Sequence, residues 1–102
     1  MDKVLYKCKP SYKIVFGQRN KFYEEHLFEY CDLKQITENN LLKDFAFCFK
    51  EYDNELNKTI TYIHYSKIDN KYLITITTND ETEFIYGYDN FNQVFKKFKE
   101  IL

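Results

Sequence analysis

The chain has 102 residues, enough for one domain that hides roughly two-thirds of its extended-chain surface and too few for two cores. Apolar residues make up 44% and charged residues 30%, which is too apolar for disorder and too interrupted by charge for a membrane span. A net charge of −1 excludes the strongly basic balance of a domain built to coat nucleic acid.

The longest uncharged apolar run, Phe45–Phe49, is far below spanning length, and no charged-then-apolar leader opens the chain. A cytoplasmic protein is therefore expected. Gly occurs only at 17 and 87 and Pro only at 10, so tight turns must rest mainly on Asn and Asp.

Val4–Cys8 reads as a short strand, and Ser11–Phe16 reads as another after the interruption at Pro10. Residues 17–20 end it. The period then changes. Phe22, Tyr23, His26, Leu27, Tyr30 and Cys31 fall on one side of a helical wheel, with Glu24, Glu25 and Glu29 on the other. This predicts a helix near 20–31, capped by Asn20. Residues 32–43 fit an extension of that helix, a second short helix or a crossing segment.

From Asp44 the pattern becomes strand-like. Phe45, Phe47 and Phe49 alternate with Ala46 and Cys48, so both faces are apolar and both should be covered. Thr59–Tyr65, Tyr72–Thr78 and Glu83–Tyr88 read as three further strands between polar turns. Strands joined so briefly pair as antiparallel hairpins. Phe91, Val94, Phe95, Phe98, Ile101 and Leu102 then follow helical spacing, with Asp89 or Asn90 as cap and Lys96, Lys97 and Lys99 toward the end. Phe95 is expected in the core. The expectation is a single α+β domain over 1–102. Its antiparallel β-meander has four strands over 44–88, plus one or two N-terminal strands. The amphipathic C-terminal helix and the helix near 20–31 pack on it.

No phosphate loop, dinucleotide fingerprint, G-x-S-x-G, H-E-x-x-H or EF-hand loop is present. Cys8, Cys31 and Cys48 are odd in number and far apart, so they read as reduced, buried or half-buried thiols. Nothing in the spacing of two histidines and three thiols calls for a metal or a cofactor. His26 with Cys31 or Cys8 would make a base and nucleophile, the basis of a small-enzyme reading. No spacing rule supports that dyad, and a histidine at a helix margin is the simpler account. His64, between Ile63 and Tyr65, either meets a ligand on an open sheet face or is a half-exposed strand residue.

Two surfaces stand out for binding. Tyr62, Tyr65 and Tyr72 lie in predicted strands and would suit base stacking, an alternative reading as a single-stranded nucleic-acid-binding sheet. The other surface comes from topology. Glu51, Asp53 and Glu55 lie at the first turn of the meander and Asp80, Glu81 and Glu83 at the third, and alternate turns share one end of a sheet. Such an acidic end would meet a basic surface on a protein partner, for example its nucleic-acid-binding groove. The leading expectation is thus a small protein–protein interaction module, an inhibitor or adaptor that occupies a partner's surface. The abundance of Lys, Asn, Ile, Tyr and Phe reflects A/T-rich codons. Small proteins of A/T-rich bacteria and their phages include inhibitors of host defences such as CRISPR. Strand edges make a homodimer a further expectation.

Overall fold

In a computed structural model that describes residues 3–102, the chain runs β1 (Leu5–Cys8), β2 (Pro10–Val15), β3 (Gln18–Tyr23), β4 (Glu29–Tyr30), α1 (Glu38–Leu42), β5 (Ala46–Tyr52), β6 (Lys58–Ser66), β7 (Lys71–Thr78), β8 (Glu83–Tyr88) and α2 (Phe91–Ile101). Six strands form one antiparallel sheet in the order β4-β1-β5-β6-β7-β8, and β2 and β3 form a separate two-stranded ribbon. The α+β class, the four-strand meander and the C-terminal helix all match the sequence reading. No helix among the described residues is long and apolar enough to cross a membrane.

Period-two alternation sends residues of each strand to opposite faces. One face carries Leu5, Phe47, Phe49, Ile63, Tyr72 and Ile74, and it is closed by α2 through Val94 and Phe98 and by α1 through Leu41. Phe98 is fully buried, its ring 5.5 Å from that of Phe49. Phe95, expected in the core, is only half-buried; it stacks on Phe91 at the helix margin. Asn90 caps α2 by accepting from the Gln93 amide at 2.9 Å.

The other face carries Cys8, Ala46, Cys48 and Ile60, covered by Tyr23, Phe28 and Tyr62. Residues Ala46–Phe49 are consequently buried one after another. That is the outcome expected for a strand with apolar residues in both phases.

The helix near 20–31 is not formed. Gln18–Tyr23 is instead the return strand of a hairpin, paired from Val15↔Gln18 to Pro10↔Tyr23. Only Glu25–Leu27 makes a single 3-10 turn, before Glu29–Tyr30 adds to the edge of β1. Two causes compete with the helical wheel. Phe16 and Gly17 both have positive φ (49° and 78°), the backbone of a two-residue hairpin turn. The aromatic Phe22 and Tyr23 also favour an extended chain, and only there can Tyr23 stack on Tyr62 at 5.7 Å. The glutamates of the supposed polar face pair elsewhere: Glu25 with Lys50 and Lys58, and Glu29 with Lys9. Residues 32–43 form the crossing, with a 3-10 turn at Leu33–Gln35 and α1 capped by Thr37.

Candidate functional site

The β2–β3 hairpin ends in Ile14, Val15, Phe16 and Gly17. Phe16 is fully exposed, and Ile14 is 71% exposed. Neither belongs to a core cluster, although burial of such side chains is what ordinarily stabilises them. Phe16 also holds a left-handed backbone that costs a bulky residue about 1–3 kcal/mol. The flanks are basic: Lys9, Lys13, Arg19 and Lys21 occur with no acidic residue between Lys9 and Lys21. Lys13 lies over the Phe22 ring at 4.7 Å and Arg19 over Tyr12 at 4.0 Å, so the cations stiffen the ribbon as well as charging it.

The hairpin is tied to the sheet at Asp44. Its carboxylate accepts from the Tyr12 hydroxyl at 2.8 Å and pairs with Lys21 at 3.5 Å and Lys67 at 3.3 Å. Burial alone would raise the Asp44 carboxyl, but Tyr12 and the two ammoniums overcome it and hold it below its ordinary value. Asp44 itself sits at φ 70°, and its backbone carbonyl accepts from the Tyr23 hydroxyl at 3.2 Å. Between hairpin and sheet runs a cleft of about 370 Å³ lined by Tyr12, Arg19, Lys21, His64, Lys67 and Ile68, among others.

His64 lies under this cover. Its Nε2 is 2.8 Å from the Thr75 hydroxyl, while Nδ1 is buried with no partner among the described residues. Burial, with Lys21 nearby, pushes the imidazole down to about 4 and keeps it neutral near pH 7.

The six carboxylates of the meander turns do lie at one pole. The Lys58 amide donates to the Asn79 side chain at 2.9 Å, and the Asn79 side chain donates to Asn57 at 3.2 Å, which locks the two turns side by side. Their roles differ. Asp53 accepts from the amides of Glu55 and Asn57, and Asp80 accepts from the Thr82 amide and the Thr78 hydroxyl, so both build their own turns. Glu51 pairs with Lys3 at 3.6 Å. Glu55, Glu81 and Glu83 are exposed and have no ion pair among the described residues. Lys58, the cation nearest the turns in sequence, reaches Glu25 at 2.6 Å instead.

Tyr62, Tyr65 and Tyr72 are not brought together. Tyr62 is on the face covered by the hairpin, stacked on Tyr23 and edge-on to Phe28. Tyr65 and Tyr72 are on the helix face, where Tyr72 is buried and hydrogen-bonded to Glu38. No single open platform results. His26 is exposed in the 3-10 turn and hydrogen-bonds to none of the thiols. Cys8 and Cys48 are fully buried free thiols with their Sγ atoms 3.3 Å apart, and Cys31 is half-buried, its thiol pushed up to about 11 chiefly by burial. The described residues contain no cluster of three metal-ligating side chains.

Sequence reasoning placed the strand Glu83–Tyr88 correctly but missed the hairpin tip and the exposed free edge of β8. The signal for the tip was Gly17 between two six-residue strand-like runs. For the free edge of β8 no signal existed, because alternation reads the same in a covered strand and a free one. No protein-family model, curated protein or solved structure matches the chain.

Proposed function

We infer that the protein is a small protein-binding module that acts by occupying a partner's surface, with the β2–β3 hairpin tip entering the partner. The observation that carries this reading is Phe16: a fully exposed aromatic ring on a backbone that disfavours it. Folding alone gains nothing from Phe at this place, and binding does. Burying an exposed Phe or Ile side chain is worth about 1.5–3 kcal/mol each, which is the scale of an interface anchor. Lys13 and Arg19, which have no ion pair among the described residues, define the complementary chemistry as an apolar pocket rimmed by acidic groups. A photo-crosslinking residue at position 16 should capture one protein from an extract of the source cell. The same residue at Asn92, exposed on α2, should not capture it. The captured protein, once purified, should lose at least about tenfold in affinity for Phe16→Ser. Equal binding of the wild-type and Phe16→Ser proteins would sink the reading.

A second reading places the contact at the opposite, acidic pole and makes the protein an inhibitor or adaptor that blocks a partner's basic, nucleic-acid-binding surface, as an inhibitor of a host defence would. It is favoured by the unpaired Glu55, Glu81 and Glu83 on two interlocked turns. Under this reading binding falls with added DNA and with salt, and Glu55→Lys/Glu81→Lys abolishes it while Phe16→Ser leaves it intact.

A further inference from the structure

The edge strand β8 pairs with β7 on one side and with no described strand on the other. It carries none of the usual guards of an open edge: no proline, no lysine and no bulge. Instead Phe84, Ile85 and Tyr86 are each about half exposed or more, at 48%, 59% and 50%. We propose that this edge binds a second copy of the same chain, β8 against β8, in a two-fold antiparallel pair centred on Ile85.

The register follows from side-chain parity and charge. A two-fold axis perpendicular to the sheet pairs each residue with one of the same face, because residues directly opposite in an antiparallel pair share a face. Centred on Ile85, the two Ile85 side chains meet on the open face. Phe84 meets Tyr86 of the second copy twice on the helix face. There a groove of about 310 Å³, lined by Ile74, Ile76, Tyr88 and Lys97, adjoins Tyr86. Glu83 falls opposite Gly87, the one residue of β8 with no side chain. The stem of Lys71 lies across that position, its Cδ 3.9 Å from where a Cβ would stand, and its ammonium pairs with Asp89. The Glu83 carboxylate of one copy thereby reaches the Lys71 ammonium of the other. The neighbouring registers lack this fit. Centring on Tyr86 sets Glu83 directly against Asp89, like charges that repel. Centring on Phe84 sets Glu83 against Ile85 and leaves Gly87 outside the paired segment. The contact is isologous and closes on itself, so it ends at two copies.

The test is sedimentation equilibrium of the full chain from 1 to 200 µM with two sets of variants. The wild-type protein should sediment as a dimer in the upper part of that range. Ile85→Lys, an exposed position, should keep its near-UV circular dichroism and raise the dissociation constant at least roughly tenfold, because two lysines then face each other at the axis. In a Cys31→Ser background, Ile85→Cys should cross-link to itself under mild oxidation, and Phe84→Cys and Tyr86→Cys should not. A wild-type monomer at 200 µM, a dimer indifferent to Ile85→Lys, or preferential cross-linking through 84 or 86 would each overturn the proposal.

Discussion

His64 makes the stability of this protein depend on pH in a range where few other groups titrate. The imidazole is covered by the β2–β3 hairpin, and its ionisation is pushed down to about 4 from an ordinary 6.5, chiefly by burial. The folded state therefore refuses a proton that the unfolded chain accepts. Stability is full above pH 6.5, falls as pH drops through the interval from 6.5 to 4, and loses nothing further to this group below it. The complete loss is on the order of 3 kcal/mol, most of it between pH 7 and pH 5. Glu25 and Asp44, whose carboxyls are held below their ordinary values, begin to contribute their own losses only at lower pH. Urea unfolding at pH 7 and pH 5 measures the effect directly, and His64→Gln removes the titrating group while keeping a neutral polar side chain beside Thr75. The wild-type protein should lose about 2 kcal/mol over that interval and the variant a small fraction of it. Equal losses in both proteins, or an imidazole resonance that titrates near 6.5 in the folded protein, would refute the claim that the hairpin desolvates His64.

The remaining predictions concern packing, backbone and thiols. Phe98→Ala should destabilise by about 3–5 kcal/mol in thermal or urea unfolding, and Phe95→Ala by clearly less, since Phe98 is fully buried and Phe95 only half. Phe16→Asn should stabilise the protein by about 0.5–1 kcal/mol, because Asn tolerates the left-handed backbone of the turn; a destabilised variant would show that Phe16 packs within its own chain. At pH 8 a thiol reagent should modify Cys31 first but about a hundredfold more slowly than an unhindered thiol whose ionisation lies near 9, and Cys8 and Cys48 should react only on unfolding. Reaction of Cys8 or Cys48 ahead of Cys31 would contradict the burial described for them.

The meander was legible because its signals are local. Three short polar turns permit little besides hairpins, and the spacing of Phe91, Val94 and Phe98 leaves one helix face to bury. The shared pole of Glu55 and Glu81 follows from the same short turns. The N-terminal third was less legible because its structure is decided at a distance. Phe22, Tyr23, Leu27 and Tyr30 satisfy a helical wheel, yet Tyr23 gains more by lying on Tyr62, nearly forty positions away. The burial of His64, the covering of Tyr62 and the exposure of Ile85 all depend on where that third of the chain lands, and no window of sequence encodes it.

The join between β1 and β5 carries a kinetic consequence. Leu5 pairs with Phe49 and Cys8 with Ala46, partners some forty residues apart, whereas every pairing from β5 to β8 spans a short loop. Closing a large loop costs more entropy than closing a small one and is rewarded only when the long-range contacts form. The ribbon from Ala46 to Tyr88 should therefore zip first, with the amino-terminal arm docking onto it late and detaching first. Amide protons at the centre of β6 and β7 would then exchange slowest and those of β1 and β4 markedly faster, and the β4–β1 edge of the sheet would open as a separate unit before the whole molecule melts.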